Sequence, residues 1–174
     1  MQLVEAFRVS SSKAKSAPRP PVFLEPIAQA CTENSSPYLD DFSQFEARFR
    51  DSGKRARLLD RLKELLAELR THSIEPEAML VGGSFVDLSV EPGDVDALIV
   101  YSIGKDADPG DATRFLGKLR THPRDGLDVR FCPSDVGPVL LIKSVCFFHT
   151  LYMQTRDGRP LSKGSFLVVL TCSG

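Results

Sequence analysis

The sequence lacks a marked excess of charge of either sign, cysteines at metal-binding spacing, and any apolar run long enough to span a bilayer. Its 174 residues carry 22 Lys and Arg against 23 Asp and Glu, a formal net charge of −1, so no overall basic field favours duplex nucleic acid. The four scattered cysteines follow no signal peptide, which predicts reduced, buried thiols in a cytoplasmic protein. Because Lys143 interrupts the short apolar run at 139–153, we expect no membrane partner.

What the chain does contain is enough apolar sequence for a core. With 42% apolar and 26% charged residues, it predicts one globular domain over residues 22–174. Residues 1–21 are rich in Ser, Lys and Pro and offer little to bury, so we expect a flexible tail outside the fold.

Periodicity predicts alternating helices and strands over most of the remaining chain. Residues 54–71 place six leucines on one helical stripe, opposite a solvated face that includes Arg55. The other predicted elements are a helix from Phe42 capped by Asp40 or Asp41, a strand at Ala78–Val81, a strand opening at Asp94, a helix capped by Asp111 or Thr113, a strand around Asp128, a buried helix at 137–155, and a last strand in SFLVVLT at 165–171.

The stretch at residues 80–101, LVGGSFVDLSVEPGDVDALIVY, carries the chemistry. Side chains alternate along a strand, so Asp94 and Asp96 project together while Val95 and Ala97 face the other way. Paired carboxylates on a rigid strand predict a hard divalent cation with oxygen ligands. Upstream, Gly82, Gly83 and Ser84 offer backbone N–H groups and a hydroxyl to an anion such as a triphosphate.

The order of these features resembles the nucleotidyltransferase superfamily with the DNA polymerase β-like fold. The likeness rests on an apolar strand, Gly-Ser and Asp-apolar-Asp, followed by a third carboxylate on a later strand, for which Asp128 in LDVRF fits. Over about residues 38–171 the chain is also similar to a family of small bacterial nucleotidyltransferase-like proteins of unknown function, through FSQFEARF, GGSFVD, EPGDVDALIV, LDVRF and RDGRPLSKGSFLVVL. The resemblance implies an α+β fold, in which a mixed β-sheet packs against helices.

The same resemblance implies roles for individual residues. Asp94, Asp96 and Asp128 would be catalytic and would hold two Mg²⁺ ions, for which Mn²⁺ can substitute. The nucleotide-binding residues it implies are Gly82, Gly83, Ser84, Arg130 and Lys163.

Each of these side chains also has an ordinary structural explanation. Asp94 can cap a turn, Asp96 can pair with a lysine, and Asp128 can pair with Arg130, which would then only brace that carboxylate. Lys163 is equally well explained as an exposed turn lysine. A lone histidine on an apolar element, His149, is explained by burial in the core.

The function implied by the resemblance is metal-dependent transfer of a nucleoside monophosphate from an NTP such as ATP to a hydroxyl on a protein, an RNA end or a small molecule. The alternative is a catalytically weak nucleotide-binding or protein-binding module, such as an antitoxin or regulatory subunit, acting with a partner protein or as a homodimer. Metal-dependent hydrolysis is a third reading, because it would use the same carboxylates without a triphosphate site.

Overall fold

The computed structural model describes residues 2–50, 53–105, 107–154 and 163–170. Its strands are β1 Tyr38–Asp41, β2 Ile74–Gly82, β3 Val95–Ile103, β4 Leu127–Pro133 and β5 Phe166–Val169. Its α-helices are α1 Gln2–Ser16, α2 Phe42–Phe49, α3 Gly53–Thr71, α4 Pro109–Thr121 and α5 Pro138–Met153, and Ile27–Gln29 form a short 3-10 helix. The prediction of an α+β chain with a mixed sheet is confirmed.

The five strands form one sheet in the order β1-β5-β2-β3-β4. β2 is antiparallel to both of its neighbours, β3 and β5, whereas β1 runs parallel to β5 and β4 runs parallel to β3. β2 begins earlier than predicted, and its register shifts between Pro76 and Ala78, where a proline without an N–H interrupts the ladder. In this strand order β3 lies between β2 and β4, and β4 forms one edge of the described sheet.

The larger part of the core covers one face of this sheet. The leucine stripe of α3 is buried as predicted, and it packs with Val95, Ala97 and Ile99 of β3 and with Phe115 of α4. The α2 helix begins at the predicted cap, where the Asp41 carboxylate accepts a hydrogen bond from the Gln44 N–H at 2.8 Å. In α4 the cap is Asp108 rather than Asp111 or Thr113, because the helix starts at Pro109, three residues before the start that a cap at Asp111 predicts.

The N-terminal residues differ from the predicted flexible tail. Gln2–Ser16 form helix α1, in which Ala14 is fully buried and the Lys15 Nζ lies 2.6 Å from the buried Asp40 carboxylate of β1. After α1, the Pro18 carbonyl accepts from the Leu88 N–H at 2.7 Å. The buried face of α1 consists of the small side chains Ser10, Ser11 and Ala14. A face without large apolar residues gives little periodic signal, so composition alone missed this packing.

The other face of the sheet is covered by α5, and only in part. Tyr152 and Met153 are buried, but five large apolar side chains of the helix are exposed, so the prediction of a buried helix was wrong. The exposed side chains are Val139, Leu140, Ile142, Phe147 and Leu151. Two cysteines, Cys31 and Cys146, are free and exposed rather than buried, and Cys132 is free and buried as expected. The fourth, Cys172, lies outside the described residues.

Candidate functional site

Asp94, which precedes β3, and Asp96, its second residue, place two carboxylates on the α5 side of the sheet. Val95 and Ala97 are fully buried on the opposite face, whereas Asp94 and Asp96 are half-buried. The local reason is the strand period of two, which sends alternate side chains to opposite faces. The structure therefore has the alternation that the sequence predicted for this segment.

The two strands that flank β3 bring two more of the predicted site residues, Gly82 and Asp128, beside Asp96. Its Cα partner on β2 is Gly82, and its Cα partner on β4 is Asp128. Residues opposite one another on adjacent strands share a face of the sheet, so Asp128 projects to the same side as Asp96. Three strands thus meet at one point, with a glycine on one flank of Asp96 and a carboxylate on the other.

An open cavity of about 410 Å³ lies at this point, and we call it the acidic cleft. It contains seven of the eight residues that the sequence assigned to the site: Gly83, Ser84, Asp94, Asp96, Asp128, Arg130 and Lys163. The eighth, Gly82, does not line the cleft and lies against Tyr152 and Ser165. The remaining lining comes from the end of α5 and consists of Phe148, Leu151, Tyr152 and Gln154.

Close packing explains both glycines. A Cβ on Gly82 would lie 2.5 Å from the Tyr152 Cβ, so α5 can approach β2 only because position 82 has no side chain. Gly83 has a φ of +65°, and a Cβ there would overlap the Asp96 carboxylate and lie 2.8 Å from its Cγ. The Gly83 N–H already donates to the Tyr152 carbonyl at 3.2 Å, so it does not point an unused donor at a phosphate.

The charges of the cleft are mixed. Arg130 lies 3.0 Å from Asp128, and both side chains are about half exposed. Lys163 is buried rather than exposed, with 8% of its surface accessible, although it borders the cleft. Burial, and then the charges of Asp96 and Asp128, raise the pKa of Tyr152 far above its usual value. The Tyr152 hydroxyl therefore stays protonated and available as a hydrogen-bond donor.

The loop between β2 and β3 is held by one arginine of α3. Arg55 is 3% exposed and donates to the carbonyls of Phe85, Asp87 and Val90 at 3.1, 2.6 and 2.5 Å. The prediction that Arg55 belongs to a solvated helix face was wrong, because three loop carbonyls turn inward and need a donor. Arg55 thereby fixes the loop that follows Ser84.

His149 is a half-buried residue of α5 that contacts the start of β5. Its Nδ1 lies 2.8 Å from the Ser165 hydroxyl, and burial lowers the pKa of the imidazole. The Ser165 N–H also donates a hydrogen bond to the Ser36 hydroxyl at 2.8 Å. These contacts connect α5 to the start of β5, next to Lys163.

The α5 residues of the cleft were missed by the sequence analysis. Phe148, Leu151 and Tyr152 are spaced by three and four positions, which places them on one helical face. That spacing was a usable signal, but it is indistinguishable from the spacing of an ordinary core helix. Only the packing of the end of α5 over Gly82 turns this face into a cleft wall.

The carboxylates do not form a complete metal cage by themselves. Among the residues that the structure describes, no group of three His, Cys, Asp or Glu side chains is arranged to hold a metal ion. Mg²⁺ is commonly held by one or two carboxylates together with substrate phosphates and water. The adjacent Asp96 and Asp128 have the chemistry that such a shared site requires. Within the same described residues, no helix is long and apolar enough to cross a membrane.

Comparison with known proteins gives a family but no function. No curated protein and no solved structure matches the chain. One family model matches residues 24–168, which include every residue of the acidic cleft. The chain therefore belongs to the family of unknown function DUF6932.

Proposed function

We propose that the chain is a nucleotidyltransferase with a polymerase β-like fold, which binds an NTP and a divalent cation in the acidic cleft and transfers the nucleoside monophosphate to a hydroxyl acceptor. The observation that carries the proposal is the meeting of Asp94, Asp96 and Asp128 with Ser84 and Lys163 around one open cavity. These residues come from separate parts of the chain, and an accidental cluster of structural ion pairs would not require a common cavity.

The two walls of the cleft match the two halves of a nucleotide. One wall carries three carboxylates and the cations Arg130 and Lys163, whereas the α5 wall carries Phe148 and Leu151. A triphosphate with its bound cation suits the first wall, and a flat, mostly apolar base suits the second. The volume of about 410 Å³ lies within the range of small-molecule sites.

Asp94, Asp96 and Asp128 would hold the cation, Mg²⁺ or Mn²⁺, jointly with the triphosphate. The bound cation would supply charge neutralisation at the phosphates and a lower pKa for the acceptor hydroxyl. The chain's own cations, Lys163 and Arg130, would offset the remaining phosphate charge, while the Ser84 hydroxyl donates a hydrogen bond. Because the Gly83 N–H is committed to Tyr152, the side chains take the larger share of phosphate binding.

The reaction replaces one phosphorus–oxygen bond with another. The acceptor oxygen bonds to the α-phosphorus, and the bond from the α-phosphorus to the α–β bridging oxygen breaks. Pyrophosphate leaves with that electron pair, and the hydroxyl proton passes to solvent. The residues of the cleft position both oxygens and stabilise the charge on the leaving group.

A second candidate function is a nucleotide-binding or protein-binding module without turnover. It is favoured by groups that are already engaged within the chain, namely the Gly83 N–H with Tyr152 and the Asp128 carboxylate with Arg130. A module needs only the affinity of the cleft, whereas an enzyme must also bring an acceptor to it.

One experiment separates these functions. Binding of ATP, GTP, CTP and UTP with Mg²⁺ is measured by calorimetry, and transfer of an α-phosphate label is followed to a peptide pool, an RNA oligonucleotide and glycerol. The variants are D96N and D128N, and the matched control is D125N, because the Asp125 side chain is 92% exposed and pairs with Arg61 outside the cleft.

We expect D96N and D128N to weaken NTP binding at least tenfold and to abolish transfer, with D125N unchanged. NTP binding by the unmodified protein without transfer to any acceptor would favour the module. Equal binding by D96N, D128N and D125N would contradict nucleotide binding in the acidic cleft, for an enzyme and for a module alike, because the nucleotide would then lie elsewhere.

A further inference from the structure

A second cavity, of about 650 Å³, runs along the outer side of β4, and we call it the edge groove. Its apolar and aromatic lining comes from both faces of the sheet and from α4. The lining residues are Tyr101, Thr113, Leu116, Gly117, Arg120, Val129, Arg130, Phe131 and Phe148. Two of them, Arg130 and Phe148, also line the acidic cleft, so the two cavities adjoin.

The edge groove contains an open strand edge. The Val95 N–H donates to the Gly126 carbonyl and the Ser134 N–H donates to the Tyr101 carbonyl. In a parallel ladder with this register, the even-numbered residues of β4 bond to β3, so the N–H and C=O groups of Val129 and Phe131 point outward. In the described part of the chain, no other strand pairs with this edge.

We propose that the edge groove binds an extended, acidic polypeptide segment, which adds to β4 as a sixth strand and presents a side-chain hydroxyl to the acidic cleft. The docking stands on the groove itself, whereas the role of the segment as acceptor rests on the proposed function. The open edge supplies evenly spaced backbone partners, which suit a polypeptide and which an oligonucleotide cannot use as a ladder.

The register predicts the pattern of the bound segment. Residues that face one another on adjacent strands share a face, and neighbouring strands lie about 4.8 Å apart. The residue opposite Asp128 therefore projects toward the cleft, and the residue opposite Arg130, two positions away, meets a cation. Side chains opposite Val129 and Phe131 face the apolar α4 side of the groove.

The charge of the groove selects an acidic segment. Among the described residues that line it, Arg120 and Arg130 are charged and none is acidic; Arg130 also pairs with Asp128 of the adjoining acidic cleft. The expected motif thus has a Ser, Thr or Tyr and an Asp or Glu two positions apart, with apolar residues between and beside them. A second copy of β4 is the competing occupant, and the oligomeric state of the protein tests for it.

The test measures docking without nucleotide or metal, so its failure is separable from failure of the proposed function. The probes are fluorescent octapeptide pools with Val, Ile or Leu at alternate positions and Tyr, Ser, Asp and Glu on the other face. A matched pool replaces Asp and Glu with Lys, and a labelled single-stranded RNA octamer is the third probe.

Two pairs of variants test the two contacts. V129P removes an outward N–H but leaves the β3–β4 ladder, whereas V129I keeps that N–H. R120E reverses a charge in the groove, and R114E makes the same change at an α4 side chain that is 67% exposed and does not line the groove. The melting temperature of each variant reports on folding.

We expect the acidic pool to bind at least tenfold more tightly than the basic pool. V129P and R120E should each weaken that binding at least fivefold, with V129I and R114E unchanged. The proposal is overturned if the two pools bind equally, if neither pool binds, or if V129P and R120E match their controls. Tighter binding of the RNA, or a dimer that V129P dissociates without any peptide binding, would overturn it as well.

Discussion

Replacing Gly83 with alanine tests whether the backbone at this position holds the acidic cleft in shape. Gly83 has a φ of +65°, which costs an L-residue about 1–2 kcal/mol. The added Cβ would also overlap the Asp96 carboxylate, and overpacking of this kind costs about 1–3 kcal/mol. The sum, about 2–5 kcal/mol, corresponds to a fall in melting temperature of about 4–20 °C for a chain of this size.

Two other glycines serve as matched controls for the separate contributions. Gly93 lacks both features, since a Cβ there meets nothing within 4 Å and its φ is not positive. Gly137 has a φ of +85° and also has open space around its Cβ position, so G137A carries backbone strain without the overlap. Calorimetric melting and NTP titration of the three variants separate strain, overlap and loss of the site.

We expect G93A to be neutral, G137A to lose stability only, and G83A to lose stability together with at least tenfold in NTP affinity. The loss of affinity follows because the Asp96 carboxylate must move away from the new methyl group. If G83A bound NTP as tightly as G137A does, Asp96 would not be part of the nucleotide site, and the reasoning would be refuted.

Three further predictions concern the scaffold around the cleft. K15M removes the partner of the buried Asp40 carboxylate and should cost about 3 kcal/mol in chemical denaturation, whereas the same change at the exposed Lys13 should cost almost nothing. R55M leaves three loop carbonyls without their donor and should cost about 3 kcal/mol or more, measured the same way. Because burial lowers the pKa of His149 from 6.5, the folded state favours the neutral ring. The contribution of His149 to the free energy of unfolding should therefore be fully present above about pH 6.5 and should be lost as the pH falls below that value. The fall in melting temperature between pH 7.5 and 5.5 should then be smaller in H149Q than in the unmodified protein. The first expectation is contradicted if both lysine variants lose the same free energy of unfolding, and the second if R55M is as stable as the unmodified protein. The third is contradicted if the melting temperatures of H149Q and the unmodified protein depend on pH in the same way.

The elements that sequence reasoning predicted well are those whose signal is local. The leucine stripe of α3, the Asp41 cap of α2 and the alternation at the start of β3 depend on neighbours within a few residues. Helix α1 was missed because Ser and Lys dominate its C-terminal half, residues 10–16. Its stability depends on contacts with residues far along the chain, such as that of Lys15 with Asp40.

In the candidate site, too, sequence reasoning found the residues with a local signal and missed those that depend on long-range packing. The sequence marked seven residues that line the cleft, since glycine pairs, Asp-x-Asp spacing and apolar flanks are readable without coordinates. It did not reveal the α5 wall, because Phe148, Leu151 and Tyr152 have the spacing of any buried helix. Nor did it reveal that the Gly83 N–H is used by the Tyr152 carbonyl, a contact between residues nearly seventy positions apart.

The sequence by itself determined which side chains share a face of each strand, because that alternation is a property of the extended backbone and needs no neighbour. It also determined that positions 82 and 83 carry no side chain. Only the tertiary structure decided that Asp128 is registered beside Asp96, that α5 closes one side of the cleft, and that Lys163 reaches it. Those outcomes depend on the order in which strands pair and on how helices pack across the sheet, which arise from long-range burial of apolar surface rather than from local pattern.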